Sequence, residues 1–543
     1  MVHCTMQAAS AKDTVDLNVL VLKGKNPELA PSNTNQLYLG SATDRLRLQE
    51  GIYIKEGSGK TLSSLRINGA TPAQTAISWN GLKLNNAFNG QIDLNLLPAS
   101  IMNFGLVNLG SALYGANSMT GTLLIEQAHL DSQWVVDLNY GSFGSKNINV
   151  YKSFKIKKSS HYVSGSAHKS INNYEYIDHS GPAQIKKLPN AYADIYNVMY
   201  GNHIEISPLL KLKSNFWYTN AFKGLPPNST AQPDWSYQKD ESWRGQAELV
   251  YAKNNWTINQ NNAISIDNLR YVSPFANINS FYKSYQNSHA VSVNYKVNSY
   301  LQVFGIGRFE NQQILHFFEK DNTIQNFHAS ARAVFEKQNW ILTGGISRDA
   351  YSLGYKPINY QSSIQKRVKR WVVGYSVASS FRPPTFNDLY WPTGGNDQLL
   401  PEEGIMHRGE LRYVLPIKSN HFVRFKLSAQ AMHLQNQIVW LPGNFMAFWS
   451  PINIAETYHV STNLKVYTDF QVGKSQHQVS ANANYVEANT SGYFSSKPQL
   501  IYTPKWTLNG NYILGFGKNK WMINNQFQSK TFINTDNSSI LNG

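Results

Sequence analysis

The sequence predicts an all-β membrane protein: an antiparallel outer-membrane β-barrel of the 22-stranded type with a small N-terminal plug domain in its lumen. Three observations point to it. Apolar and polar residues alternate along the later three quarters of the chain, short polar turns recur between the alternating runs, and the first 130 residues lack that alternation.

At 543 residues the chain is long enough for several ordinary domains or one very large one. No stretch approaches the apolar length of a membrane-spanning helix, and the mean hydropathy is −0.39, which excludes spanning by helices. Yet 25 Phe, 31 Tyr and 13 Trp make 13% of the chain aromatic. Aromatic-rich, alternating sequence of modest hydropathy suits strands with one face in lipid. A soluble all-β protein is the alternative that composition leaves open. The single cysteine, Cys4, allows neither a disulfide framework nor a Cys-based metal site. Net charge is +16, but the basic residues are scattered and the densest cluster, "KRVKR" (366–370), reads as a solvated turn, so no nucleic-acid partner is expected.

At the N-terminus, Ala9-Ser10-Ala11 before Lys12 has the small-residue form of a signal-peptidase site, so residues 1–11 are expected to be a signal-peptide remnant. Residues 37–127 hold short apolar runs, Thr75 to Trp79, Leu82 to Leu84, Leu94 to Leu97 and Leu123 to Ile125, separated by Gly and Asn clusters. That pattern predicts a compact domain of short strands over 37–130, of a size to fill a wide barrel. Within it, Gly59-Lys60-Thr61 has the look of a P-loop end. Ile54 stands where the loop's first glycine is needed, and Arg45, Arg47, Gln49 and Glu50 break the apolar run that should precede it, which excludes nucleotide binding.

From 131 to 543 strand periodicity takes over. Trp134, Val136, Leu138 and Tyr140 alternate with Val135, Asp137 and Asn139; Phe327, Ala329, Ala331, Ala333 and Phe335 alternate with His328, Ser330 and Arg332. Short turns are expected near 157–160, 207–209, 252–255, 296–299, 336–339, 366–370, 416–420, 473–476 and 517–520, with enough chain between them for one strand up, a loop and one strand down. The long loops include 220–242 and 382–404, rich in Pro, Gly, Asn and aromatics. These turns give nineteen strands, the last near 520–530. Plugged transporters have 22 strands, so three are expected beyond Gly543 and the sheet is expected to be C-terminally incomplete. His161, His168 and His289 stand alone and are expected on polar faces.

"GSGKTLSSLRINGATPAQTAISWNGLKLNNAFNGQIDLNLLPASI" and "GSALYGANSMTGTLLI" resemble the plug of TonB-dependent outer-membrane receptors, closest to the cobalamin (vitamin B12) receptor branch. "SSFRPPTFNDLYWPTGGNDQLLPEEG" resembles a strand and loop of their barrels. The resemblance implies an outer-membrane receptor for a scarce small-molecule ligand. It also implies a TonB-type periplasmic energy-coupling protein that adds to a TonB box as a β-strand. Within residues 12–36 the box falls on Thr14, Val15, Asp16, Leu17, Asn18, Val19, Leu20 and Val21. Ligand contact is carried over to Gly57, Ser58, Gly59 and Lys60 in one apex loop, to Asn85, Asn86, Phe88, Asn89 and Gln91 in a second, and to Tyr390 and Trp391 in the barrel loop. Amides that both donate and accept suit an amide-decorated corrinoid such as cobalamin. A surface lipoprotein over the loops and the surrounding lipid are the further partners considered.

The chain also departs from the family pattern. Ile67-Asn68-Gly69 replaces Ile-Arg-Gly, and "NFGLVNLGS" (103–111) replaces a charged run, so the plug is expected to be held by hydrogen bonds and packing. "NYEYIDHSGP" (173–182) offers only Glu175 and Asp178, too few for calcium, and no metal site or cofactor is expected. A ferric-siderophore receptor is the near alternative. A passive or structural barrel without energised transport is the alternative from another class. With no HExxH, no G-x-S-x-G and no cysteine chemistry, an enzyme is not expected.

Overall fold

The structure, a computed structural model, describes residues 41–541 apart from 58–59, 99–101, 108–109, 128–133, 179–181, 228–234, 276, 316–321, 393, 419–420, 443–448, 492–497, 518 and 535–536. The signal-peptide remnant and the TonB-box segment expected before residue 37 lie outside the described residues, as do Ser58 and Gly59.

Nineteen strands, from Trp134–Tyr140 to Asn519–Gln528, form a closed barrel. The apolar partners of each alternating run face outward: Trp134, Val136, Leu138 and Tyr140 are exposed, whereas Val135 and Asp137 are buried. Phe327 is likewise exposed beside a fully buried His328. Hydrophilic side chains therefore line the lumen and apolar ones the lipid side, as a membrane barrel requires. His168 follows that rule and points inward, but His161 and His289 do not. Each sits on the outward face of its strand, where His161 stacks between Phe154 and Tyr200 and His289 bonds Asn262.

The short turns fall in or within one residue of their expected windows, with 419–420 and 518 lying outside the described residues. Most are two-residue hairpins, which need positive φ, and Lys157, Asn254, Gln338, Lys369, Gly473 and Gly517 have φ between 51° and 59°. The ring closes with the last strand beside the first, and because an up-and-down ring of odd number returns to its starting direction, those two run parallel.

Inside the ring sits a small globule. Helix α1 (Ala42–Arg47) is capped by Ser41 and leads into a hairpin of β1 (Ile52–Glu56) and β2 (Ser63–Ile67). The P-loop-like segment is only the turn of that antiparallel hairpin, with no helix behind it. Strands β3 (Ala76–Trp79), β4 (Leu82–Lys83), β5 (Met102–Val107) and β6 (Thr122–Gln127) form a sheet in the order β4-β3-β6-β5, with β3 and β6 parallel. A four-residue helix, α2 (Ser111–Tyr114), lies between β5 and β6. Trp79, Leu82, Leu94, Leu123 and Ile125 pack the centre, and the cluster continues into the wall through Met199 and Trp217. The Trp79 and Trp217 rings meet edge to face at 5.4 Å, so one apolar core spans plug and barrel.

Polar contacts share the work. Asn68 bonds Gln430 and Asn463, Arg66 bonds Thr503, and the Gly51 amide donates to Asn484. The expectation that hydrogen bonds and packing alone hold the plug is corrected, because ion pairs do so too. Lys223 of the wall meets Asp93 at 2.8 Å; Glu50 meets Lys426 at 2.8 Å and Arg408 at 3.2 Å; Lys83 meets Glu310 at 3.7 Å. The charges are supplied from other positions than the missing run at 103–111.

Candidate functional site

The wall strands end in short turns at one rim and long loops at the other, and two plug turns reach the long-loop rim. The second is built by Asn85. Its side chain accepts from the Ile77 amide at 2.8 Å and donates to the carbonyls of Thr75 and Gly90 at 2.8 and 2.9 Å. It is buried and fully engaged, so it shapes the loop and is not presented to a ligand. Asn86 accepts from the Phe88 amide at 2.7 Å and donates to the Tyr282 hydroxyl at 3.1 Å. Gly90 turns the chain back at φ 71°, and a Cβ there would lie 3.0 Å from Thr385 and 3.1 Å from Ala73.

This turn pushes Phe88 up between aromatic neighbours. Its ring stacks on Tyr282 at 4.7 Å with 16° between planes and meets the edge of Trp391 at 6.3 Å. Asn89 accepts from the Gln91 amide at 3.2 Å, and both side chains are only partly buried beside Phe88. Two amides next to an aromatic platform can bind a ligand carrying hydrogen-bonding groups and an apolar face.

The roof is a third helix, α3 (Phe386–Tyr390), in the loop between Arg382 and Glu402. A reciprocal cap between Thr385 and Asp388 starts it, and the Asn387 amide donates to the Phe88 carbonyl at 2.8 Å. Beneath lies a buried network. Arg382 bonds Glu402 at 2.7 Å and Asp388 at 3.4 Å, and Glu402 accepts from plug Gln74 at 2.7 Å. The charges are paired and hydrogen-bonded, as burial demands, so the loop is moored to both wall and plug. Burial, with Asp397 adding to it, raises the Tyr390 hydroxyl and keeps it a donor at neutral pH.

In the first turn, the Gly57 amide bonds the Leu62 carbonyl at 2.8 Å, and Lys60 takes φ 58° with its carbonyl accepting from Asn95 at 3.0 Å. Among the described residues no carboxylate pairs with the Lys60 ammonium. Asp93 sits below, accepting from the Ser63 and Asn95 amides at 2.9 and 3.0 Å and from Lys223. Burial raises its carboxyl while Lys223 opposes the rise. Lys223 also donates to the Thr61 carbonyl at 3.2 Å, so the first turn is tied to the wall.

The structure thus brings Phe88, Asn89, Gln91, Tyr390 and Trp391 to one rim with Gly57 and Lys60, and it withdraws Asn85 into the scaffold. Sequence reasoning missed Tyr282, Lys223 and Gln74. Tyr282 reads as one more aromatic in an alternating run, and nothing local marks it as the base of Phe88. Among the described residues no group of three or more His, Cys, Asp or Glu could hold a metal; Asp178 pairs with Lys186.

No family model matches the chain. It is 25% identical to the vitamin B12 transporter BtuB of Vibrio vulnificus over 490 residues, 82% of this chain and 72% of that one. It is 25% identical to the BtuB of Photobacterium profundum over 179 residues, covering 32% and 27%. Among solved structures, the ferric enterobactin receptor of Pseudomonas aeruginosa superposes with a TM-score of 0.73 at 11% identity, over 91% of this chain and 85% of that one. The siderophore receptor PirA of Acinetobacter baumannii gives 0.71 at 10% identity, over 92% and 85%.

Proposed function

For this chain, a TonB-dependent outer-membrane receptor by its barrel and plug and by its likeness to the vitamin B12 transporters, we propose energised uptake of a corrinoid. The observation that carries the reading is the second plug turn, an aromatic platform of Phe88 on Tyr282 flanked by the Asn89 and Gln91 amides under Trp391. Gly57, Ser58, Gly59, Lys60 and Asn86 complete the contact surface in this proposal, with Tyr390 closing from the loop. A TonB-type protein pulls on Thr14 to Val21, a segment whose apolar sequence suits strand addition. A corrinoid's amide rim matches side chains that both donate and accept, and its flat faces match the platform.

Titration of the purified receptor with cyanocobalamin tests the ligand: saturable binding is expected, and none at micromolar ligand overturns the corrinoid. Deleting residues 12–21 separates coupling from binding, since uptake should stop while binding persists. A ferric chelate is the second reading, favoured by the Lys60 ammonium at the rim, which suits an anionic ligand. Ferric enterobactin in the same titration distinguishes the two.

A further inference from the structure

On the short-turn side of the plug lies a cavity of about 310 Å³, between the β3 and β6 face and the wall. It is remote from the apex turns: Phe304 and Arg332, which line it, stand near the short-turn ends of strands Leu301–Leu315 and Asn322–Lys337. Among its charged groups Lys213, Glu248 and Arg308 are matched, and Glu126 has its carboxyl raised to about 7 by burial. Lys213 meets Glu248 at 3.2 Å, and Arg308 meets Glu310 at 3.7 Å. Arg332 is different. It is 8% exposed, its guanidinium lies over the Phe304 ring at 4.5 Å, and its Nε has no hydrogen-bond partner. Among the described residues no carboxylate pairs with it. Around the same cavity, Asn80 Nδ2, Asn259 Oδ1 and Asn294 Oδ1 are also buried without partners.

A buried guanidinium without a counter-charge is unfavourable unless something supplies one. Arginine's planar fork fits an oxyanion with two parallel hydrogen bonds, and an aromatic ring holding the guanidinium from behind fixes that fork. We propose that this cavity is a second binding site, separate from the apex, for an anionic solute bearing a phosphate or carboxylate group. Arg332 provides the charge, Phe304 the apolar wall, and Asn80 Nδ2 a donor to the oxyanion, while Asn259 Oδ1 and Asn294 Oδ1 accept from N–H or O–H groups elsewhere on the solute. The site stands whether or not the apex ligand is a corrinoid.

Phenyl phosphate is the probe, titrated into the purified full chain in detergent and followed by phosphorus NMR. Saturable binding is expected, weakened at least tenfold by Arg332→Gln and partly kept by Arg332→Lys. Ser330→Asp, on the same cavity wall, installs a carboxylate beside Arg332 without removing volume and should abolish binding, so the test survives if Arg332→Gln fails to fold. Failure of the native protein to bind, or equal binding by Ser330→Asp and the native protein, overturns the proposal. Cyanocobalamin binding should be the same in all variants, which separates this outcome from that of the apex site.

Discussion

Lys223 of the barrel wall and Asp93 of the plug meet at 2.8 Å with both side chains almost wholly enclosed, and Asp240 lies 3.1 Å from the same ammonium. Removing the cation strands two buried carboxylates. Lys223→Met is expected to destabilise the plug by about 3–5 kcal/mol, seen as earlier proteolysis of the plug within an intact barrel. The half-exposed Lys213–Glu248 pair is the control, and Lys213→Met should cost less than about 1 kcal/mol.

Asn85 and Asn89 are neighbours in one turn with opposite roles. Asn85→Ala removes three bonds to buried backbone groups and should lower plug stability by about 2–3 kcal/mol. Asn89→Ala should leave stability unchanged and weaken ligand binding. Equal melting behaviour of the two variants would contradict the assignment.

Phe88→Ala takes the platform from under Trp391 and off Tyr282. Affinity for the apex ligand should fall by about ten- to a hundredfold, in line with losing an aromatic anchor worth about 1.5–3 kcal/mol. Phe88→Tyr should retain most of it. Equilibrium binding on the purified receptor reads both.

Glu126, at the end of β6 in the plug, has its carboxyl raised to about 7 by burial, with Lys213 lowering it and Glu248 raising it. The folded state therefore holds a proton that the unfolded chain releases near its ordinary value of 4.5. The contribution to stability is full below that value and is lost as pH rises through about 7. Plug protection against protease should fall between about pH 4.5 and 7 and level off above that, and Glu126→Gln should flatten that part of the profile.

Gly110 tests how closely plug and wall approach. A Cβ there would lie 2.3 Å from the Ser379 carbonyl oxygen and 2.8 Å from the Ala378 Cβ. Gly110→Ala should displace the plug while the barrel still folds, detected as a barrel of normal gel mobility with a protease-sensitive plug.

The barrel was legible in the sequence because its rules are local. Alternation is read residue by residue, and the hairpin turns carry Asn, Gly and Lys where positive φ is needed, so the nineteenth strand falls at Asn519–Gln528 as expected. Closure was not legible, since it depends on strands that sit at opposite ends of the barrel sequence. The plug was read as apolar runs, and β3, β4 and β6 coincide with three of them. What escaped was how the two parts meet. Gln74 finds Glu402 across 328 positions and Asn68 finds Gln430 across 362, and no spacing in a single sequence marks such pairs. At the rim, Phe88 was singled out by its resemblance to a known loop, whereas Tyr282 beneath it carried no signal.

The boundary between plug and wall, rich in amides, hydroxyls and charges, has a mechanical meaning. A stopper seated by greasy contacts alone would resist withdrawal with the full cost of wetting oil-like surface. Here much of the boundary is bridged by hydrogen bonds that water can replace one for one. Solvent can follow the globule as it shifts, acting as a lubricant, and a modest pull from below can open a gap that heals when the pull ceases. The dry spots, Trp79 against Trp217, Met119 against Ala378 and Met406, and Leu96 against Ile195 and Ala221, then mark the points about which such a shift would turn.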